Sequence, residues 1–231
     1  MSADGVPSPD LSPQELSHAT SVSLRPATSK DVARIIEIIN DDPGKDAIAL
    51  MGSIELARRY RAGLVALERI PNSSRVTVVA DGPAGVVGFL QYRTGNRGRH
   101  GQLAHLRLLV SLVGPLGVLR RARRLYAQRR VYIPVPADSF YITNLHVEIA
   151  SQGEGIGSQL LTWAEREATD LGARLMTLTT ASNSRAIPLY ERHGYAVTVT
   201  ATHPDYERLL HVPGRVLMQK VLGPRSARSA Q

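Results

Sequence analysis

Cysteine is absent from all 231 residues, which removes disulfide staples, thiolate nucleophiles and Cys-ligated metal sites together. The seven histidines show no ligand spacing, so no metal is expected either. Aromatic residues make up only 5% of the chain, so its one core is aliphatic with little ring stacking. No secretory signal stands at the start, where the first twenty residues are rich in Ser, Pro and Asp and lack an apolar centre. The most apolar run, 103–119, is interrupted by His105, Arg107, Gly114 and Pro115, and falls short of the roughly 20 apolar residues of a bilayer span. These absences predict a soluble, cytoplasmic protein. Acidic residues are also missing between Asp81 and Asp138. Ten arginines stand there: Arg93, Arg97, Arg99, Arg107, Arg120, Arg121, Arg123, Arg124, Arg129 and Arg130. In a chain of net charge +8 this stretch alone carries +10, so the remainder is slightly acidic.

What is present organises around that stretch. Residues 1–20 and 223–231 read as disordered tails, because neither buries enough to offset its ordering entropy. Between them, 21–222 reads as one α/β domain, with 93–137 as a basic helical insertion. Alternation at 21–25 predicts a strand, and Thr28 stands three residues before Asp31 as in a capping box. Val32, Ile35, Ile36 and Ile39 repeat at helical spacing. A second helix is predicted over 53–69 with Ala57, Tyr60, Leu64 and Leu67 on one face. Strands follow at 75–80 and 86–92, joined by a Gly-Pro turn. Residues 103–113 and 118–130 read as two helices split at 114–117. A strand at 140–148 leads into a helix that buries Ile156, Leu160, Leu161, Ala164, Ala168 and Leu171. Strand 174–180, helix 184–193 and strands near 195–200 and 216–222 complete the chain. This order describes a mixed sheet with helices on both faces.

The strand at 140–148 ends in Gln152-Gly153-Glu154-Gly155-Ile156-Gly157 and feeds a helix. Glycines there let the backbone approach an anion, and the helix start offers unpaired N–H groups and a positive dipole end. A dinucleotide site fits poorly, because it expects Gly-x-Gly-x-x-Gly early in a βαβ unit.

Together with Asn144-Leu145-His146-Val147 before it, this motif resembles the acyl-CoA signature of GNAT-superfamily N-acetyltransferases. Residues 181–195, Ala-Ser-Asn-Ser-Arg-Ala-Ile-Pro-Leu-Tyr-Glu-Arg-His-Gly-Tyr, resemble the family's second signature. Leu24-Arg25-Pro26-Ala27-Thr28 and Met218-Gln219-Lys220-Val221-Leu222 fit its first and last strands. Ile149 stands where the family usually has Pro, and Gln152 where Arg is commoner. The resemblance implies the GNAT acyl-CoA N-acyltransferase fold and acetyl transfer from acetyl-CoA to a primary amine by direct attack in a ternary complex. It implies that the pantetheine arm pairs with the strand at Leu145–Val147. The pyrophosphate would sit on the amides of Gln152, Gly153, Gly155, Ile156, Gly157 and Ser158. Backbone N–H near Val147 would stabilise the oxyanion. Asn183 would bind the pantetheine, and Tyr190, two helical turns on, would protonate the departing thiolate.

Plainer readings stand beside these. Tyr190 is also an ordinary core tyrosine, and Asn183 an ordinary helix N-cap. The amine must lose a proton, for which Glu148 is the first candidate and His146 the second. They share a strand face with Asp138 and Asn144. His203, Asp205, Tyr206, Glu207 and His211 fall in the loop before the last strand, which borders the acceptor in the resembled fold.

For the insertion three readings stay open. One is a lid in which Leu103, Leu106, Leu109, Val110 and Val113 pack on the body while the arginines face water. Another is recognition of an anion, with nucleic acid disfavoured because Tyr126 and Tyr132 are its only aromatics. The third is peripheral membrane contact through 103–130. If the insertion borders the acceptor, its charge selects a small-molecule or peptide amine that is not polycationic. The resemblance is compatible with a homodimer. A non-catalytic acyl-CoA-binding module using the same cleft is the alternative function.

Overall fold

Segments rich in Val, Leu and Thr become strands, and longer segments with a three-to-four residue apolar repeat become helices. The computed structural model describes residues 22–68, 76–94 and 100–223. The chain runs β1 (Ser23–Pro26), α1 (Val32–Asp41), α2 (Lys45–Met51), α3 (Ile54–Glu68), β2 (Val76–Gly82), β3 (Gly85–Arg93), α4 (His100–Arg120) and α5 (Ala122–Arg130). It continues through β4 (Phe140–Val147), α6 (Ile156–Asp170), β5 (Leu175–Ala181), α7 (Ile187–Arg192), β6 (Ala196–Thr202), α8 (Pro204–Leu210) and β7 (Gly214–Val221). The strands form one sheet in the order β1-β2-β3-β4-β5-β7-β6. All neighbours are antiparallel except β4 with β5. The expected mixed sheet, covered by helices on both faces, is what forms. The expected tails lie outside the described residues apart from Gly223, as do Ser21, Arg97 and Arg99.

Strand alternation divides the core between the two faces. Leu90, Tyr92, Phe140, Ile142, Met176 and Leu178 meet Ile156, Leu160, Leu161, Ala164 and Ala168 of α6. On the other face Val79 and Phe89 meet Ile35, Ile38 and Ile39 of α1 and Val65 of α3. A third cluster is built by helices almost alone: Leu50 and Met51 of α2, Ala57 and Tyr60 of α3, Leu109 of α4, Ala127 of α5, and Tyr206 and Leu210 of α8. The insertion is therefore clamped to the helices beside the sheet.

Several expectations shift. In α1, Ile38 is buried where periodicity named Ile36 and Val32, which are only half-buried. Leu67 and Leu171 are exposed because each stands at a helix end that has cleared the sheet. Short helices α2 and α8 occupy segments that read as loops, and α7 begins at Ile187 rather than 184. In the insertion the backbone leaves the helix at Gly114 (φ 69°, ψ 169°) but resumes at Pro115, and the next break comes at Arg121. Its inward stripe is also different. Leu109 is buried and Leu108 and Leu112 pack beside it, whereas Leu103, Leu106 and Val110 face water. Arg121 turns inward: its Nε and Nη2 donate to the Leu50 and Met51 carbonyls at 3.1 and 2.5 Å, satisfying the end of α2.

At the sheet edge Arg25 joins two carboxylates. It donates to Asp31 at 2.8 and 2.9 Å and to Asp81 at 2.8 Å. Asp31 also accepts from the Thr28 N–H and hydroxyl at 2.7 and 2.9 Å, the capping arrangement that the Thr28–Asp31 spacing predicts. The Arg25 guanidinium holds the Asp31 carboxyl well below the usual carboxylate range. That contribution is full above the ordinary carboxylate pKa and is lost as pH falls below it. Asp31→Asn is expected to cost about 2 kcal/mol at neutral pH, read from the urea midpoint. The gap between the variant and the parent should narrow below roughly pH 4.

Candidate active site

β4 and β5 are joined over only three residues, Phe140 to Met176 through Ile142 to Leu178. β4 nevertheless runs on to Val147 and β5 to Ala181. The parting starts at a bulge. Gln91 pairs with Asn144 and Tyr92 with Ile142, which leaves Thr143 as the extra residue. A bulge raises local twist and bends the strand that carries it, and here it turns the second half of β4 away from β5. That half keeps β3 on one side and has an open edge on the other. The Glu148 N–H donates to Val87 on the β3 side at 2.8 Å, so by strand alternation the Val147 and Leu145 N–H groups face the open edge. The Val147 carbonyl there accepts from Gln152 Nε2 at 3.1 Å.

The glycine turn closes one end of this edge. Gly153 and Gly155 have φ of 92° and 82°, a backbone that other residues adopt only with strain. A Cβ at either would meet nothing within 4 Å, so space lies above the turn. Ile156, Gly157 and Ser158 open α6 and have no residue four places back within the helix to accept their N–H groups. Gly157 has a different reason to be glycine, because a Cβ would stand 3.1 Å from Leu189 Cδ2 of α7. The same Cβ would lie 3.9 Å from Leu145 and 4.0 Å from Val147 side-chain atoms. The start of α6, the open half of β4 and α7 therefore converge. A backbone-lined anion site beside an unpaired strand edge fits an extended phosphorylated arm such as that of acyl-CoA.

Tyr190 of α7 stands beside this junction, 7% exposed and edge-on to Tyr195 at 6.1 Å. Its hydroxyl makes no hydrogen bond among the described residues, and burial pushes its pKa up to about 12. It is a buried core tyrosine that keeps its proton at neutral pH. Asn183 is exposed and does not cap α7. Ser184 Oγ instead accepts the Ala186 N–H at 3.2 Å. Next to it, the Ser182 hydroxyl is buried without a partner among the described residues, a penalty that a bound ligand group would remove. Sequence reasoning did not single out Ser182, because a serine after a strand carries no signal of its own.

The opposite face of β4 carries Asn144, His146 and Glu148. Asn144 donates to Gln91 Oε1 at 2.6 Å, and Gln91 donates to Thr77 at 3.1 Å, a buried polar ladder. Glu148 accepts from Arg34 at 2.5 Å, and Arg34 also reaches Glu37 and the Val86 carbonyl. His146 is half-buried and stacks on Phe89 at 5.4 Å. Desolvation, then the nearby Arg61 guanidinium, push its pKa down to about 4, so it is neutral at pH 7. Beyond them lies a group that the sequence did not mark: Tyr141 shares a 2.8 Å hydrogen bond with Thr179, and Arg215 donates to Thr179 at 3.3 Å and stands 3.9 Å from Asp46. Register brings these together from β4, β5, β7 and α2, over as many as 169 positions of sequence. Tyr206 is buried in the helical cluster beside them, whereas His203 and Asp205 are spent on α8. His203 caps its first turn at 3.2 Å, and Asp205 pairs with Arg208. Among the described residues no group of three or more His, Asp or Glu is placed to hold a metal ion.

Residues 34–195 match the model of the acetyltransferase (GNAT) family. Among curated proteins none matches the sequence significantly. Among solved structures, one titled histone acetyltransferase HPA2 and related acetyltransferase, from Corynebacterium glutamicum, is similar at TM-score 0.62 and 18% identity, over 90% of this chain and 99% of that one. PaiA N-acetyltransferase from Thermoplasma acidophilum, in complex with coenzyme A, is similar at TM-score 0.54 and 15% identity, over 87% and 99%. Ribosomal-protein-alanine N-acetyltransferase from Brucella melitensis gives 0.52 and 16%, over 87% and 99%. At these identities the structures establish the shared fold.

His146 is measurable without any substrate. Its folded pKa of about 4 lies below the unfolded value, so the unfolded chain binds the extra proton as pH falls from about 6.5 to 4. Stability should drop over that window, by up to about 3 kcal/mol from this group. His146→Gln should flatten that part of the urea-midpoint profile. A slope left unchanged by the substitution would assign it elsewhere.

Proposed function

The chain belongs to the acetyltransferase (GNAT) family, and from that premise we propose that it moves an acetyl group from acetyl-CoA to a primary amine by direct attack in a ternary complex. The observation that carries this reading is the open half of β4, bounded by the glycine turn and by α7. The pantetheine arm would add to Leu145 and Val147 as an extra strand, and the pyrophosphate would take the amides of 152–158. Val147 N–H, already directed to the open edge, would then hold the carbonyl oxygen as the tetrahedral intermediate gains charge. A donor of this kind, fixed before reaction, contributes roughly 3–4 kcal/mol in other acyl-transfer enzymes.

The proton balance has two parts: an alkylammonium loses two protons on becoming an amide, one taken by a base and passed to water, the other ending on the departing thiolate. Tyr190 keeps its proton at any working pH. Surrendering it outright to a thiolate whose thiol has a pKa near 8.5 costs about 5 kcal/mol, so the transfer is coupled to loss of the ammonium proton. At pH 8 an alkylammonium is less than about 1% free amine, so an internal base gains at most a few hundredfold. His146 is packed against Phe89 and weakened by Arg61. Glu148 is paired to Arg34, but Arg34 keeps Glu37 when Glu148 takes a proton, which makes Glu148 the better candidate. Arg215 and Arg61 on the acceptor side of the sheet disfavour polycations. The acceptor we assign is a small-molecule or peptide amine, neutral or anionic elsewhere. The non-catalytic acyl-CoA-binding reading gains no observation of its own.

Free-thiol release over an amine panel tests the reaction. Tyr190→Phe should lower kcat by about a hundredfold or more, and Glu148→Gln should lower kcat/KM by roughly tenfold to a hundredfold at pH 8, less at pH 10. Because Tyr190 titrates near 12, the parent rate should rise with pH and show no fall through pH 10. Cofactor binding with no thiol release on any amine would contradict the enzyme reading. Spermidine turning over faster than acceptors with one amine would contradict the acceptor assignment.

A further inference from the structure

We propose that the outward face of α4 and α5 docks the protein on an anionic lipid surface. Leu103, Leu106 and Val110 before the Gly114 break, Leu116 and Leu119 after it, and Tyr126 past the second break at Arg121 are the exposed apolar side chains of this seam. Leu103 and Leu119 are 67% and 69% exposed, and so many large apolar side chains left in water on one segment mark an interaction surface. Arg107, Arg120, Arg123 and Arg130 are exposed among them, the last three at steps of three and seven residues. The whole stretch between Asp81 and Asp138 contains no carboxylate. Arginine stems run along apolar surface while their guanidinium groups stay with water or phosphate, and Arg130 already lies over the Tyr126 ring at 5.9 Å. Exposed apolar side chains with arginines among them suit a helix lying in an anionic membrane interface.

The same segment is apolar enough to cross a bilayer: over Leu103–Arg120 the mean hydropathy is 1.4. Its inner stripe decides against crossing. Leu109 is buried in the cluster that α4 shares with α2, α3, α5 and α8, Tyr60 shares a 2.7 Å hydrogen bond with His105, and Arg121 holds the end of α2. A crossing would tear all of these from the core, whereas lying flat uses only the exposed face. Charge selects among occupants. A second copy would bring arginines against arginines with no carboxylate to pair. A nucleic acid would match the arginines and leave the leucines in water. An anionic bilayer satisfies both. None of these residues is among those placed at the β4 cleft, so the proposal stands whether or not the acetyl-transfer reading does.

Co-sedimentation of the full chain with phosphatidylcholine vesicles, with and without phosphatidylserine, tests it. Binding is expected with phosphatidylserine at low salt, weakened but not abolished by added salt. Arg120→Gln with Arg123→Gln should weaken it roughly thirtyfold, and Leu116→Ser with Leu119→Ser at least about tenfold. These side chains are exposed, so a circular dichroism spectrum like the parent's is expected. No pelleting with phosphatidylserine at low salt would overturn the proposal. So would binding that the arginine pair abolishes and the leucine pair leaves intact, which would indicate an acidic macromolecule instead. A concentration-dependent dimer lost in the leucine pair, with no lipid binding, would assign the seam to a second copy.

Discussion

Everything at the centre of this molecule depends on two parallel strands that part after three paired residues. A buried backbone N–H or C=O without a partner is costly, so a sheet does not open in its middle without compensation. Here the compensation is local. The Thr143 bulge supplies the bend, Gln152 takes up the Val147 carbonyl, and β3 continues to pair with β4 on its far side. What is left over on the open edge is a short row of donors and acceptors at fixed spacing, which an extended ligand arm can complete as a strand would. The glycines of the turn, the close approach of Gly157 to Leu189 and the placement of Tyr190 all follow from setting α6 and α7 against that opening.

The two faces of β4 then divide the labour. The side chains of Leu145 and Val147 belong to the α6 core and hold the strand still, while those of Asn144, His146 and Glu148 face α1 and α3. A ligand on the open edge and an amine above the second face would meet near Val147. Arg34 fixes Glu148, and Phe89 fixes His146, so both side chains are positioned by residues far away in sequence.

How much of this was legible beforehand follows from the range of each interaction. The succession of strands and helices along the chain, the glycine turn and the start of α6 are short-range features, and their residues carried them openly. Helices α2 and α8 are seven residues each, too short for a repeat to show above the noise of Asp, Pro and Gly around them. The partners of Glu148 and Thr179 were invisible because they lie 114 and 36 residues away. In α4 the apolar residues run all round the helix, so periodicity had no means of choosing the inward stripe: Leu109 goes in as expected, but Leu108 and Leu112 pack beside it where Leu103, Leu106 and Val110 were expected. That one misplaced stripe matters, because it puts leucines as well as arginines on the outer surface. Five exposed arginines, Arg107, Arg120, Arg123, Arg129 and Arg130, thus stand on the outside of α4 and α5, while the β4 cleft relies on backbone amides.

The claim that the open half of β4 and the glycine turn receive acyl-CoA is tested most directly by amide hydrogen exchange, resolved by residue, with and without acetyl-CoA. Protection is expected at Leu145 and Val147 and across residues 153–158, with exchange in 103–130 unchanged. Protection confined to other segments, with the amides of Leu145 and Val147 exchanging as in the free protein, would contradict the account.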